Sequence, residues 1–423
     1  MLYRNTTSQI ILLGFVCFMC PGLYNALNGL GGAGQVSTTT AANANVALLS
    51  TSAVTFAFFA GSVNNVLGSK LTLLLGSLGY TLYIGSFLAV NIHPGAGAFV
   101  ITAGAILGLC ASLLWTAQGS LMLAYPTEDQ KGRFIAIFWS IFNLGGVVGA
   151  SVSLGQNFHS KVSQLGIYIS SKIIRSDGTR VKVPRHPSWK AEFYNHYIAL
   201  ATDPWIILLF PMFFTSNWFY TWQFNDFNGA LFNIRARSLN NLLYWLSQMI
   251  GSILIGLLLD EKRLRRRLRA FVGWIVLMLM VFVVHTWAYF YQKEYTREQV
   301  TEPGYVKIDI FDKPYVGRVL LYVCCGILDA MWQTTAYWLM GAMSNSPAKL
   351  AHLTGFYKSL QCAGAAGVWR ADAVRLPYMN IFISTWVLLV AGLVFALPMI
   401  YMRVTDHTDE KYDNAYVHTL IHR

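Results

Sequence analysis

Three observations predict an all-α polytopic membrane protein built from two pseudo-repeated helix bundles. Apolar residues make up 55% of the 423 residues and charged residues only 12%, about half the charged share of a soluble domain. Eleven apolar stretches succeed one another, each close to the roughly 20 residues a helix needs to cross the hydrocarbon layer. The two halves are punctuated alike, with Gly61-x3-Asn65-x4-Lys70 after the second stretch and Gly256-x3-Asp260-x4-Arg265 after the stretch at 240–259, as a duplicated unit would be. The short alternating segments of a membrane barrel are absent, so the stretches read as helices.

Taken in order, the spans read at 8–28, 46–68, 71–91, 97–124, 134–155, 205–227, 239–259, 270–291, 316–340, 350–368 and 380–402. The first is too long for a cleaved leader and turns polar and Gly-rich after residue 20, so it reads as a membrane helix. The spans at 97–124 and 134–155 carry small residues four apart, Gly104, Gly108, Ser112, Thr116 and Ser120 in one and Gly145, Gly149 and Ser153 in the other. Gly355, Ser359, Ala363 and Gly367 repeat the stripe in the span at 350–368. Such stripes let helix backbones approach closely in lipid. All six cysteines fall within spans and read as small hydrophobes.

The net charge of +12 does not point to nucleic acid, because Lys and Arg crowd into short loops, the signature of cytoplasmic loops. With the N-terminus cytoplasmic, Lys70, Lys131 and Arg133 fall inside, and the uncharged segments 29–45 and 91–95 fall outside. After the fifth span the rule fails unless one more crossing separates Gln156 from Arg175, because the basic segments 161–190 and 262–269 otherwise lie on the wrong face. Only Leu165–Ile174 is available there, and it is short and contains Lys172. The expectation is a six-plus-six architecture from which about one helix is missing; the alternative is a true eleven-span form with a re-entrant stub. The expected organisation is an N-terminal bundle at 1–160, a basic cytoplasmic loop with the truncated sixth span at 161–204, a six-helix bundle at 205–403 and a cytoplasmic tail at 404–423.

Gly29-Leu-Gly31-Gly32-Ala-Gly34 matches a dinucleotide-binding pattern by letter only, since it follows a membrane helix and no βαβ unit surrounds it. No phosphate-cradling loop, metal-ligand spacing or catalytic triad stands out, so neither cofactor, metal nor enzymatic activity is expected.

Polar groups inside a bilayer are costly and mark function. The second half has Asp329 and Lys358 in the interiors of successive spans; counted from the cytoplasmic ends, they lie within about 5 Å in depth and are expected to pair as a coupling or gating element, with a purely structural ion pair as the alternative. Pro21-Gly22 interrupts the first span ahead of Asn25 and Asn28, and Pro211 interrupts the span at 205–227 ahead of Asn217 and Gln223. Interrupted spans in matching places of two halves point to a transporter's binding site. Trp115 with Gln118, and Trp332 with Gln333, add amides and indoles suited to a small polar solute or ion. The expected substrate-binding set is Asn25, Asn28, Trp115, Gln118, Asn217, Gln223, Asp329 and Gln333. For any one aromatic, the competing reading is an interfacial belt.

The segments Ser8–Gln35, Arg175–Thr179, Phe214–Tyr220 and Ser238–Asn241 resemble the uncoordinated-ninety-three-like (ion channel regulatory protein) family, particularly its fungal members. That family belongs to the major facilitator superfamily, whose loop motif is Gly-x3-Asp-Arg-x-Gly-Arg-Lys/Arg. Gly61, Gly68 and Lys70 match it, whereas Asn65, Val66 and Ser69 replace its Asp and two Arg, which weakens the motif's charge relay; the second copy keeps Gly256, Asp260 and Arg265. The resemblance implies the major facilitator fold, twelve helices and alternating access, with the lipid bilayer as the protein's surroundings. It implies a secondary transporter or, alternatively, a non-transporting protein that regulates an ion channel or escorts another membrane protein.

Overall fold

Helices with short links make up almost all of the computed structural model, which describes residues 6–30, 38–124, 131–158, 197–198, 200–261, 263–344 and 347–406. They are α1 (Thr6–Gly29), α2 (Thr38–Phe58), α3 (Ala60–Ile92), α4 (Gly97–Ala124), α5 (Lys131–Phe158), α6 (204–229), α7 (Ile234–Leu259), α8 (Arg266–Gln292), α9 (Arg297–Thr301), α10 (Tyr315–Met343), α11 (Pro347–Ala373) and α12 (Tyr378–Arg403). Among the described residues, nine helices are long and apolar enough to cross a membrane. The other two expected crossings are α6, which is broken, and α11, which carries Lys349, Lys358, Arg370 and Asp372. The protein is a multi-pass integral membrane protein. The stub Leu165–Ile174, Arg175–Thr179, most of the basic loop and nearly all of the tail lie outside the described residues.

The small-residue stripes of α4 and α5 act as the close contacts they were expected to be, and Gly367 of the third makes only ordinary contact. A Cβ on Gly108 would lie 2.2 Å from the Leu48 carbonyl oxygen and 2.0 Å from Thr51 Oγ1, and one on Gly104 would lie 2.7 Å from the Ala44 oxygen. Thr51 donates to the Ala105 carbonyl (3.0 Å) and Ser52 to that of Gly108 (3.1 Å), locking α2 to α4. We therefore expect Gly108→Val to destabilise the purified protein by about 1–3 kcal/mol or more, read as a lowered Tm. Gly85→Val, where nothing lies within 4 Å, shows no such overpacking.

Three boundaries differ from expectation. The span expected at 46–68 starts at Thr38, inside the segment read as an outward loop. Its Thr- and Ala-rich first turns lack an apolar signal, yet Ala41, Ala42 and Ala44 are buried against the bundle. The link expected at 69–70 is a kink within α3 at Gly68, whose φ of +76° is one that glycine tolerates and other residues resist. α6 is more irregular than its proline predicted: a 3-10 turn (Pro204–Leu209), one helical turn (Phe210–Thr215) and a π-helical stretch (Thr221–Gly229). Pro204 and Pro211 lack backbone N–H groups. The Thr215 and Ser216 hydroxyls add to this by bonding the carbonyls of Pro211 and Met212, which competes with regular helix bonding.

Within the loop motifs, Gly61 and Asn65 sit in the first turns of α3, and Lys70 is exposed. In the second copy Gly256 lies in α7, Asp260 caps its end and Arg265 is exposed. Arg269, not Arg265, reaches back to α7, donating to the Leu259 carbonyl at 2.7 Å. A cation on the last carbonyls of a helix is favoured by their partial negative charge.

The two halves meet along α2 with α11 and α5 with α7. Toward the end bearing the basic run Arg263–Arg269, called the basic end below, Gly119 faces Thr354 and Gly256 faces Ala136. At the opposite, far end the halves are also joined by hydrogen bonds, and a space lies between them.

Candidate functional site

A cavity of about 150 Å³ lies between the halves, the size of engineered cavities that admit benzene. It forms where helices are interrupted. α1 carries a π-helical turn at Phe18–Gly22 containing Pro21, and Gly22 packs so closely on α5 that a Cβ there would lie 2.8 Å from the Phe142 oxygen. The turn presents Asn25 and Asn28 to the cavity, opposite Asn217 from the broken α6. Asn45 donates to Asn28 Oδ1 (3.3 Å) and accepts from Tyr24 (3.2 Å). Trp115, Trp139 and Trp245 supply aromatic faces, and Lys358 is the one charged residue among the described lining residues.

Lys358 Nζ donates to Gln361 Oε1 (2.8 Å) and lies 4.8 Å from the Trp115 ring centre, with Tyr337 and Tyr357 also within cation–π range. Gln361 Nε2 donates to Gln333 Oε1 (3.0 Å) and Asn217 Oδ1 (3.0 Å). Gln333 Nε2 donates to Asn217 Oδ1 (3.0 Å), to the Ser216 carbonyl (2.9 Å) and more distantly to Asp329 Oδ1 (3.4 Å). Tyr357 also donates to Gln333 Oε1. Asp329 Oδ2 accepts from Gln248 Nε2 (2.5 Å), and the Tyr244 hydroxyl lies between it (3.0 Å) and Gln223 Oε1 (2.7 Å).

The expected direct Asp329–Lys358 pair is therefore not formed. Both side chains are buried, but two glutamine amides stand between them. Each amide turns its carbonyl toward the cation and its NH2 toward the anion, so the chain Lys358–Gln361–Gln333–Asp329 is polarised in one sense, as chains of hydrogen bonds in a low-dielectric interior are. Turning one amide over would break contacts at both ends.

Of the residues singled out in the sequence, Asn25, Asn28, Trp115, Asn217 and Gln333 line the cavity. Gln118, Gln223 and Asp329 do not. Gln118 is fully buried with its Nε2 against Met122 Sδ (3.2 Å), and Gln223 and Asp329 lie behind the wall. Asn45, Gln248 and Gln361 were missed. Asn45 hides in a run with no apolar periodicity, and the two glutamines sit on α7 and α11, helices not expected to face the site.

The far end closes around the tip of α1. The last carbonyls of a helix have no partner within it. Here the other half supplies donors: Asn241 Nδ2 to the Ala26 oxygen (2.6 Å), Asn228 Nδ2 to Gly29 (3.2 Å) and Arg237 Nε to Leu30 (2.8 Å), with Arg237 Nη2 on the same oxygen. Asn241 is held by Trp245 (2.8 Å), and Asn228 by Asn240 (3.0 Å), itself held by Tyr315 (2.8 Å). A Cβ on Gly29 would lie 2.1 Å from Asn241 Oδ1, so the contact requires glycine. Lys307, in the link after α9, donates to the Gly229 carbonyl at 2.7 Å. Burial and, secondarily, the Arg237 charge push its pKa down to about 8. A depressed lysine opposes folding while it is charged. Raising the pH from about 8 to about 10.4, the ordinary lysine value, relieves that cost, so this contribution to stability should rise. Lys307→Met should remove that part of the pH dependence of Tm.

No group of three His, Cys, Asp or Glu able to hold a metal occurs among the described residues.

Residues 37–175 match a family model described as ion channel regulatory protein UNC-93. The chain is 45% identical to an UNC93-like protein of Schizosaccharomyces pombe, over 96% of this chain and 84% of that one. It is 37% identical to UNC93-like protein 1 of Arabidopsis thaliana, over 96% and 93%. Among solved structures, the proton:xylose symporter XylE bound to 6-bromo-6-deoxy-D-glucose matches with a TM-score of 0.60 at 12% identity, covering 97% of this chain and 98% of that one. A bacterial homologue of the iron transporter ferroportin gives a TM-score of 0.60 at 10% identity, over 93% and 98%. At such identities the likeness speaks for the fold alone.

Proposed function

The chain belongs to the UNC-93 family and has the major facilitator fold, and from that premise we propose that it is a secondary transporter of a small polar solute or ion. Its two halves rock about the central cavity, exposing it first at one end and then at the other. The observation that carries this reading is the cavity itself. Polar side chains buried within a bilayer are costly, yet four asparagines, three glutamines and a lysine converge there from both halves. With Lys358 as the charged lining residue, the geometry favours neutral or anionic solutes over cations.

The basic end is cytoplasmic in this reading, and so are both termini. The charge pattern supports a sixth crossing missing between Gln156 and Arg175, with bundles at 1–160 and 205–403, a basic loop at 161–204 and a tail at 404–423. No enzymatic step is assigned.

The second reading, a regulator of an ion channel or an escort for another membrane protein, is favoured by the family model's own description. Uptake by vesicles containing the purified protein separates the two. A panel of labelled sugars, amino acids and organic acids should include one taken up saturably, with uptake lost on Trp115→Ala. Absence of uptake across the panel, together with stable co-purification of a channel, would favour the regulator.

A further inference from the structure

At the far end of the second half, two carboxylates share one guanidinium. Arg297 Nη2, on α9, lies 2.7 Å from Asp372 Oδ1 on α11 and 3.6 Å from Asp226 Oδ1 in the π-helical stretch of α6. Asp372 is satisfied as an anion, because its other oxygen accepts from Asn225 Nδ2 at 2.8 Å. Arg297 is fixed by its Nε on the Leu376 carbonyl (3.0 Å) and by the Tyr378 ring 4.1 Å beneath it. Asp226 differs. It is fully buried, and neither carboxyl oxygen accepts a hydrogen bond; the Tyr295 hydroxyl that reaches this residue donates to its backbone carbonyl instead (2.9 Å). Among the described residues, the titratable and charged groups facing Asp226 are Asp372 on α11, Arg297 on α9, Tyr295 ahead of it and Tyr378 on α12.

An ionised carboxylate removed from water without a donor is among the most costly arrangements a fold can hold. Two such groups against one guanidinium leave one negative charge uncompensated. A single proton removes it, turning Asp226 into a donor whose neighbour is Asp372. We infer that Asp226 and Asp372 share one bound proton, making the far end of α6 and α11 a proton-binding site separate from the Lys358–Asp329 chain. The same two helices carry Asn217 and Lys358 to the cavity wall, so the proton's presence bears on where those residues stand. The assignment does not depend on the chain being a transporter.

The test is the Tm of the purified full-length protein against pH, from about 5 to about 9. A proton that the folded pair binds and the unfolded chain releases contributes stability at low pH, and that stability is lost as pH rises and the pair gives the proton up. The wild type should therefore show a falling component in Tm that both Asp226→Asn and Asp372→Asn remove, because either leaves one carboxylate for one guanidinium. If Asp226→Asn is not recovered folded, Asp372→Asn carries the comparison. A falling component that survives both substitutions overturns the proposal. So does a Tm lowered equally at every pH by Asp226→Asn, as loss of an ionised partner would produce. A Tm that responds to sodium chloride at fixed pH, and not to pH, would assign the oxygens to a cation instead.

Discussion

Asp329→Asn and Lys358→Gln together cost less than the sum of the two single substitutions, and less than either alone. Each single variant leaves one buried charge facing an amide chain polarised for two. Removing one partner of a buried pair typically costs about 3–5 kcal/mol, and here the charges are separated by Gln361 and Gln333, so about 2–3 kcal/mol is expected for each single. The double variant leaves a neutral, still hydrogen-bonded chain and should fall within about 1–2 kcal/mol of wild type. Denaturation of the purified protein, read as a double-mutant cycle, measures the coupling. Additive losses would mean that the amides insulate the two charges rather than connect them, and the chain would have no part in gating.

Arg237→Ala opens the far end. Arg237 places two donors on the Leu30 carbonyl across the interface between halves, and hydrogen bonds from a charged donor are worth about 1.5–3 kcal/mol. Losing them should shift the closed-to-open equilibrium by about tenfold to a hundredfold. Spin labels at the exposed positions Ile92 and Phe311, one in each half at this end, report the change as a longer distance population. Arg237→Lys should recover only part of the closure, because a single ammonium does not reproduce the guanidinium's paired donors. An unchanged distance distribution in Arg237→Ala would show that the asparagines alone hold the tip of α1.

The fold class and most helix positions were legible because crossing a bilayer demands length and apolarity, and both are written in composition. The exceptions are instructive. Thr38–Ala44 is helical without an apolar signal, since small residues packed against α4 need no lipid-facing surface. α11 was placed although its charges lower its hydropathy; Lys349, Lys358 and Asp372 face the protein interior, and Arg370 is exposed. At the site, amides and indoles stood out as costly in lipid, which brought Asn25, Asn28, Trp115, Asn217 and Gln333 into view. Sequence supplies depth along a helix but not the direction a side chain faces. Hence Gln118 was included with Trp115, three residues away, although it points into packing. That Asp329 and Lys358 belong together was legible from their positions along the spans, whereas the glutamines that link them depend on how α10 and α11 are rotated. The donors on the tip of α1 lie in Ser238–Asn241 and its surroundings, a segment noticed for its family resemblance and given a role only by the packing of one half on the other.

Access to the cavity from both ends is the central claim, and it can be measured without knowing the solute. A cysteine is placed at Asn25 in a background lacking the six native cysteines, and the protein is reconstituted in vesicles. A membrane-impermeant maleimide is then applied from one side or the other. Alternating access predicts labelling from both sides, with Arg237→Ala raising the rate at the far end and lowering it at the basic end. Labelling from one side only, or rates that do not change in opposite directions, would contradict it.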